Sequence, residues 1–145
     1  MAKIPLMEDR IKAFIAKQHL LTLSVIDSTD THLSVYGASC YYAFVKENLS
    51  LCFKSDSNSK HIKLAYVNPS VGVIIAKDSN ALTHLKGVQI KATFRNATQQ
   101  EQSFYYKKFP FARLGSGEIF ALDIYFAKYT DNQLLLQKKL TYTKE

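Results

Sequence analysis

Leu49-Ser50-Leu51-Cys52-Phe53 followed by Lys54-Ser55-Asp56-Ser57-Asn58-Ser59-Lys60-His61 is the stretch on which the fold turns. The first five residues alternate in the period-2 pattern of a strand. The next eight are polar, and from Ser59 to Val67 the pattern becomes helical, with Ile62, Ala65 and Tyr66 on one face. A strand that breaks into hydroxyls and restarts as a helix can cradle a phosphate. The helix start offers unpaired N–H groups and the positive end of a dipole. Ser55, Ser57 and Ser59 add hydroxyl donors and Lys60 adds charge, with His61 beside it.

Working outward, residues 6–18 read as an amphipathic helix through Met7, Ile11, Phe14 and Ile15. Leu20–Ile26 reads as a strand, Asp27–Thr31 as a turn and His32–Ser39 as the hairpin partner, with a separate short strand from Tyr41 to Val45. Downstream, Asn68-Pro69 stops the second helix. Val71–Ala76 is apolar on both faces and is expected to be a fully buried central strand, followed by a polar loop from Lys77 to His84. Val88, Ile90, Ala92 and Phe94 alternate with polar residues as a one-face strand. Residues 99–109 read as a helix ended by Phe109-Pro110, Gly115-Ser116-Gly117 as a link, and Ile119–Lys128 as a long strand. Thr130-Asp131-Asn132 turns into a last strand over Gln133–Gln137. Six or seven strands with few helices indicate a small barrel or a sandwich-like, mainly β (α+β) domain. Without regular β-α alternation, a doubly wound nucleotide fold is disfavoured.

The chain of 145 residues is 47% hydrophobic, which fits a single domain over 1–145 with a sizeable core. It has no apolar run long enough for a membrane span and no secretory leader pattern. Cys40 and Cys52 form no C-x-x-C pair, in keeping with reduced thiols in a cytoplasmic protein. The net charge of +7 is spread along the chain without a nucleic-acid-binding motif. It therefore suits a surface that attracts anionic ligands more than a nucleic-acid partner. His19, His32 and His84 lack metal-ligand spacing, and no metal is expected. Gly115-Ser116-Gly117 lacks the spacing of a nucleophile elbow.

Four segments in order, Ala16–Thr22, Leu85–Lys91, Phe109–Arg113 and Tyr129–Asn132, resemble the YhbP-like branch of the pyridoxamine-phosphate-oxidase-like proteins. The resemblance implies a six-stranded antiparallel split β-barrel with flanking short helices. It also implies FMN in the crevice of a two-fold homodimer and a flavin-dependent oxidoreductase acting on a small molecule. The flavin phosphate would lie in the turn Ser55–His61, contacted by Ser55, Ser57, Ser59, Lys60 and His61. Phe53 and Lys54 would border the ring through their backbone, and Ser39 and Gln89 would lie near it. By their own chemistry, an arginine beside aromatics, Phe109 and Arg113 would either face the substrate or the partner subunit or form a helix-ending plug that packs on the barrel. The chain departs from pyridoxamine-phosphate oxidases proper. It ends Gln137-Lys138-Lys139-Leu140-Thr141-Tyr142-Thr143-Lys144-Glu145, without the arginine those enzymes use, and carries Ser59-Lys60 where they have Arg-Lys. Vitamin B6 oxidation is therefore not expected. The alternative is a non-catalytic barrel that holds flavin or another planar ligand such as haem or a deazaflavin.

Overall fold

The computed structural model describes residues 6–78, 80–81, 84–132 and 139–144. Its elements run α1 (Asp9–Lys17), β1 (Leu20–Asp27), β2 (Ser34–Val45), β3 (Ser50–Ser55), α2 (Lys60–Val67), β4 (Ser70–Lys77) and β5 (Lys86–Asn96). They continue with α3 (Gln99–Lys108), a 3₁₀ helix (Pro110–Leu114), β6 (Glu118–Asp131) and β7 (Leu140–Thr143). All strand pairings are antiparallel, in the order β3-β2-β1-β4-β5-β6-β7, and β3 also pairs with β6. Six strands thereby close a ring, and β7 is appended outside it.

β6 makes the split possible. Its first half, Glu118–Asp123, pairs with β3, and Phe126–Tyr129 pairs with β7. Between them the register against β5 shifts at Lys91/Ala92, where a bulge lets the strand leave one partner and take the next. The core is the inward face of the ring: Leu21, Leu23, Val25, Tyr42, Phe53, Val73, Ile75, Ile90, Phe120 and Leu122. Phe120 packs against Phe94 at 5.3 Å and against Phe53 at 5.9 Å between ring centroids. α1 buries Ile11, Phe14 and Ile15 against the core, and the Tyr42 hydroxyl donates to the Ile15 carbonyl at 2.5 Å. α2 buries Ile62, Leu64 and Ala65.

β3 is buried on both faces because α3 covers its outer side. Cys52 packs there with Ala43, Tyr105, Ile119 and Ala121 in a second cluster. A capping box starts α3: Thr98 Oγ1 accepts from Glu101 N–H, and the Glu101 carboxylate accepts from Thr98 N–H.

Two expectations need correction. The two strands expected at His32–Ser39 and Tyr41–Val45 are one twelve-residue strand, β2, and His32 and Leu33 lie in the preceding loop. Gly37 and Ser39 resemble a break, but eight continuous pairings to β1 hold them in the ladder. β4 is central but not buried on both faces: Ile74 is 52% exposed, on the outer surface of the barrel. The segment after Pro110 is a 3₁₀ helix, where a proline at the first position suits a helix start. The strand expected over Gln133–Gln137 lies outside the described residues, and the last described strand is β7.

Candidate functional site

The turn between β3 and α2 is organised by Asp56. Its carbonyl accepts from Ser59 N–H at 3.0 Å and from Ser59 Oγ at 2.5 Å, and its carboxylate accepts from Asn58 N–H at 2.9 Å. Ser59 is the N-cap of α2, yet its hydroxyl makes no capping hydrogen bond to the helix. The hydroxyl faces Ser55 Oγ instead, at 3.2 Å. Ser55 Oγ is also 2.8 Å from His61 Nε2. Two hydroxyls, one imidazole and an uncapped helix start thus converge on one spot. Burial pushes the His61 imidazole below its ordinary proton affinity.

Gly117 closes the other side of the turn. It has φ +116°, and a Cβ built on it would lie 3.0 Å from the Ser55 carbonyl oxygen. The close approach and the left-handed backbone both require glycine.

Lys60 points to the side. Its amine lies 3.2 Å from the buried Asp27 carboxylate and 4.8 Å from the Tyr36 ring centroid. The Asp27 carboxyl is held below its usual range first by hydrogen bonds from Thr29 and then by Lys60, while Asp27 raises the Lys60 amine. Asp27 and Tyr36 were not among the residues expected here. Asp27 read as turn chemistry, and its pairing with a lysine 33 positions on has no local signature.

The remaining candidates are spread over five different places. Phe53 is fully buried in the core, and its backbone lies in the ladder between Tyr42 and Phe120. Lys54 reaches the 3₁₀ helix, where its amine donates to the carbonyls of Ala112 and Gly115, the latter at 2.9 Å, and sits 5.0 Å from the Tyr106 ring centroid. Arg113 stacks on the same ring at 4.4 Å. Ser57 is exposed at the tip of the turn.

Ser39 and Gln89 share the outer face of the sheet. The register sets them in one row, Ser39–Thr22–Ile74–Gln89, across β2, β1, β4 and β5. Three strand spacings separate them, about 14 Å, so the fold does not bring them together. Phe109 lines a separate cleft of about 500 Å³ with Tyr41, Tyr105, Lys108, Pro110, Phe111 and Ala112.

A different cluster of charge lies under α3. Arg95 donates to both oxygens of Glu101 at 2.7 and 2.8 Å and to both oxygens of Asp123 at 2.7 and 2.9 Å. Ser50 Oγ donates to Asp123 at 2.8 Å. This network joins β3, β5, β6 and α3, and its polar atoms are all satisfied.

With this geometry in hand, relatives are informative. A UPF0306 protein of Campylobacter jejuni is 41% identical over 140 residues, covering 96% of this chain and all of the relative. The chain belongs to the UPF0306 family. No family model matches it. Among solved structures, the UPF0306 chain is similar to HutZ, the haem storage protein of Vibrio cholerae, with TM-score 0.64 and 15% identity over 96% of this chain and 95% of that one. It is also similar to an FAD-binding protein of Mesorhizobium loti, with TM-score 0.68 and 12% identity over 94% and 93% of the two chains. At such identities the likeness shows the fold, and the UPF0306 chain is a split barrel. No helix among its described residues is long and apolar enough to cross a membrane.

Proposed function

We propose that this UPF0306 chain is a YhbP-like flavin-binding protein that takes the phosphate of FMN in the turn Ser55–His61. One observation carries the reading: Ser55, Ser59 and His61 converge within hydrogen-bond distance at the uncapped start of α2. Those donors suit a phosphate monoester, and the likeness to an FAD-binding split barrel supports a flavin on this scaffold. Lys60 reaches the phosphate by exchanging its contact with Asp27 for one with the ligand. Ser59 offers its hydroxyl by turning from the Asp56 carbonyl. Protonation of His61 adds a second charge-assisted bond.

The outer face of β1, β2, β4 and β5 supports the homodimer. Gly37, Ser39, Thr22, Ser24 and Gly72 are small enough for a flat approach, and Val35 and Ile74 are 73% and 52% exposed. A second copy on this face would let Gln89 of one protomer and Ser39 of the other border one ring. Bound flavin would supply two-electron redox chemistry toward a small-molecule substrate. The chain's own residues bind the phosphate, orient the ring and shield it from water.

Haem is the second reading, favoured by the likeness to the haem storage protein. The test is an absorbance spectrum of the purified chain after mixing with FMN, or separately with haem, and removing the excess. Flavin bands that stay with the protein, at one flavin per subunit and with a dimer in sedimentation, support the proposal. Retention of haem and release of FMN would replace it with the carrier reading. Retention of neither would return the turn to the role of a surface loop.

A further inference from the structure

The cleft beside α3 contains a cation without a counter-ion. Lys108 is the last residue of α3, half-buried, and its amine donates one long hydrogen bond of 3.3 Å to the Tyr42 carbonyl. The rings of Tyr42 and Phe109 flank the amine at 5.5 and 5.4 Å. Among the described residues no carboxylate pairs with it, and burial alone lowers its proton affinity. An ammonium has three N–H donors, so two remain to be satisfied. The surrounding walls are aromatic: Tyr41, Phe109 and Phe111 line the same cleft, with Tyr41 62% and Phe111 86% exposed.

Large exposed rings and a half-desolvated, unpaired cation complement one kind of molecule. It must present a flat apolar body to the rings and an anionic group to the amine. A carboxylate matches the ammonium as a compact charge, and its arrival would compensate the desolvation that the cation bears alone. We infer that the cleft of Tyr41, Lys108, Phe109 and Phe111 is a binding site for small aromatic carboxylates, with Lys108 as the anionic anchor. The cleft volume, about 500 Å³, lies within the range of small-molecule sites.

The site stands on this geometry alone and not on flavin binding, so it is tested on the full chain without flavin. Calorimetric titrations compare naphthalene-1-carboxylate with its neutral isostere, naphthalene-1-carboxamide. The carboxylate is expected to bind one per chain and about tenfold or more tighter than the amide, the scale of one charged hydrogen bond. Lys108→Met should abolish that preference, and Lys108→Arg should retain it. Equal binding of acid and amide to the unaltered chain, or no binding of either, overturns the inference without recourse to any variant. A preference that survives in a folded Lys108→Met chain overturns it as well.

Discussion

Removing the charge of Glu101 tests how α3 is fastened to the barrel. The Glu101 carboxylate is 3% exposed and accepts from Arg95 twice, from Thr98 N–H at 2.8 Å and from Asn48 at 3.3 Å. The Arg95 guanidinium, with the Thr98 bonds helping, holds its carboxyl at about 2 against an ordinary 4.5, although burial acts in the opposite direction. At about 1.4 kcal/mol per tenfold change in proton affinity, that displacement corresponds to about 3 kcal/mol of coupling to folding. Solvent reaches the Arg95 side chain, which is 32% exposed, and screening reduces the figure to about 1–2 kcal/mol.

Glu101→Gln should therefore lose about 1–2 kcal/mol at pH 7, because the amide also turns an N–H₂ toward donors that need an acceptor. The sign with pH follows from a depressed folded-state value. The contribution is complete above the unfolded value near 4.5 and fades as pH falls toward 2. Urea unfolding of both chains between pH 7 and pH 3 reads the difference. The stability gap should be widest at neutral pH and narrow steadily below 4.5. A gap that is absent at pH 7, or that stays constant down to pH 3, would refute the ion-pair account and leave α3 held by Tyr105 and its apolar neighbours.

Four further outcomes are expected. Gly117→Ala should cost about 1–3 kcal/mol, since its Cβ would meet the Ser55 carbonyl at 3.0 Å with φ at +116°; a chain with unchanged thermal midpoint would contradict this. His61 should titrate below its ordinary 6.5 in ligand-free protein by NMR and move upward when phosphate binds. Its neutral-form preference favours folding above that value and loses effect as pH falls. Lys60→Ala should weaken FMN binding about tenfold in a flavin titration, and an unaltered affinity would remove Lys60 from the phosphate site. Cys40 and Cys52 are buried, with their thiols pushed up to about 11 and about 12, so neither should react with a thiol reagent until the chain unfolds.

The parts of the fold visible in the sequence are those in which local pattern and burial coincide. Val88, Ile90, Ala92 and Phe94 face the core on alternate positions of β5, and their neighbours Gln89, Lys91 and Thr93 are exposed. The β3-to-α2 switch was legible for the same reason. What stayed hidden depends on distant partners. Arg95 reads as one more residue on a polar face, yet α3 folds over it and makes it the centre of a network with Glu101 and Asp123. Ile74 reads as core, but it is 52% exposed on the outer face of the sheet. Lys60 reads as a free phosphate ligand, while Asp27 already holds it. Lys108 carries no local mark at all; its significance comes from Tyr41 and Tyr42, which strand pairing and helix packing bring beside it.

Lys54 joins the Ser55–His61 turn to the aromatic cleft. It immediately precedes Ser55, and its amine holds the Ala112 and Gly115 carbonyls of the 3₁₀ helix that forms one wall of the cleft. Gly117, two residues beyond that clamp, packs on the Ser55 backbone. A strand end, a 3₁₀ helix and a glycine thus make a short closed circuit, with the hydroxyl cluster on one side and the Lys108 cleft on the other. The Arg95 network anchors α3 to β5 and β6 and so fixes where Lys108 and Phe109 leave the helix. The turn and the cleft wall consequently share one backbone support: Lys54 ties the 3₁₀ helix to the strand end that carries Ser55.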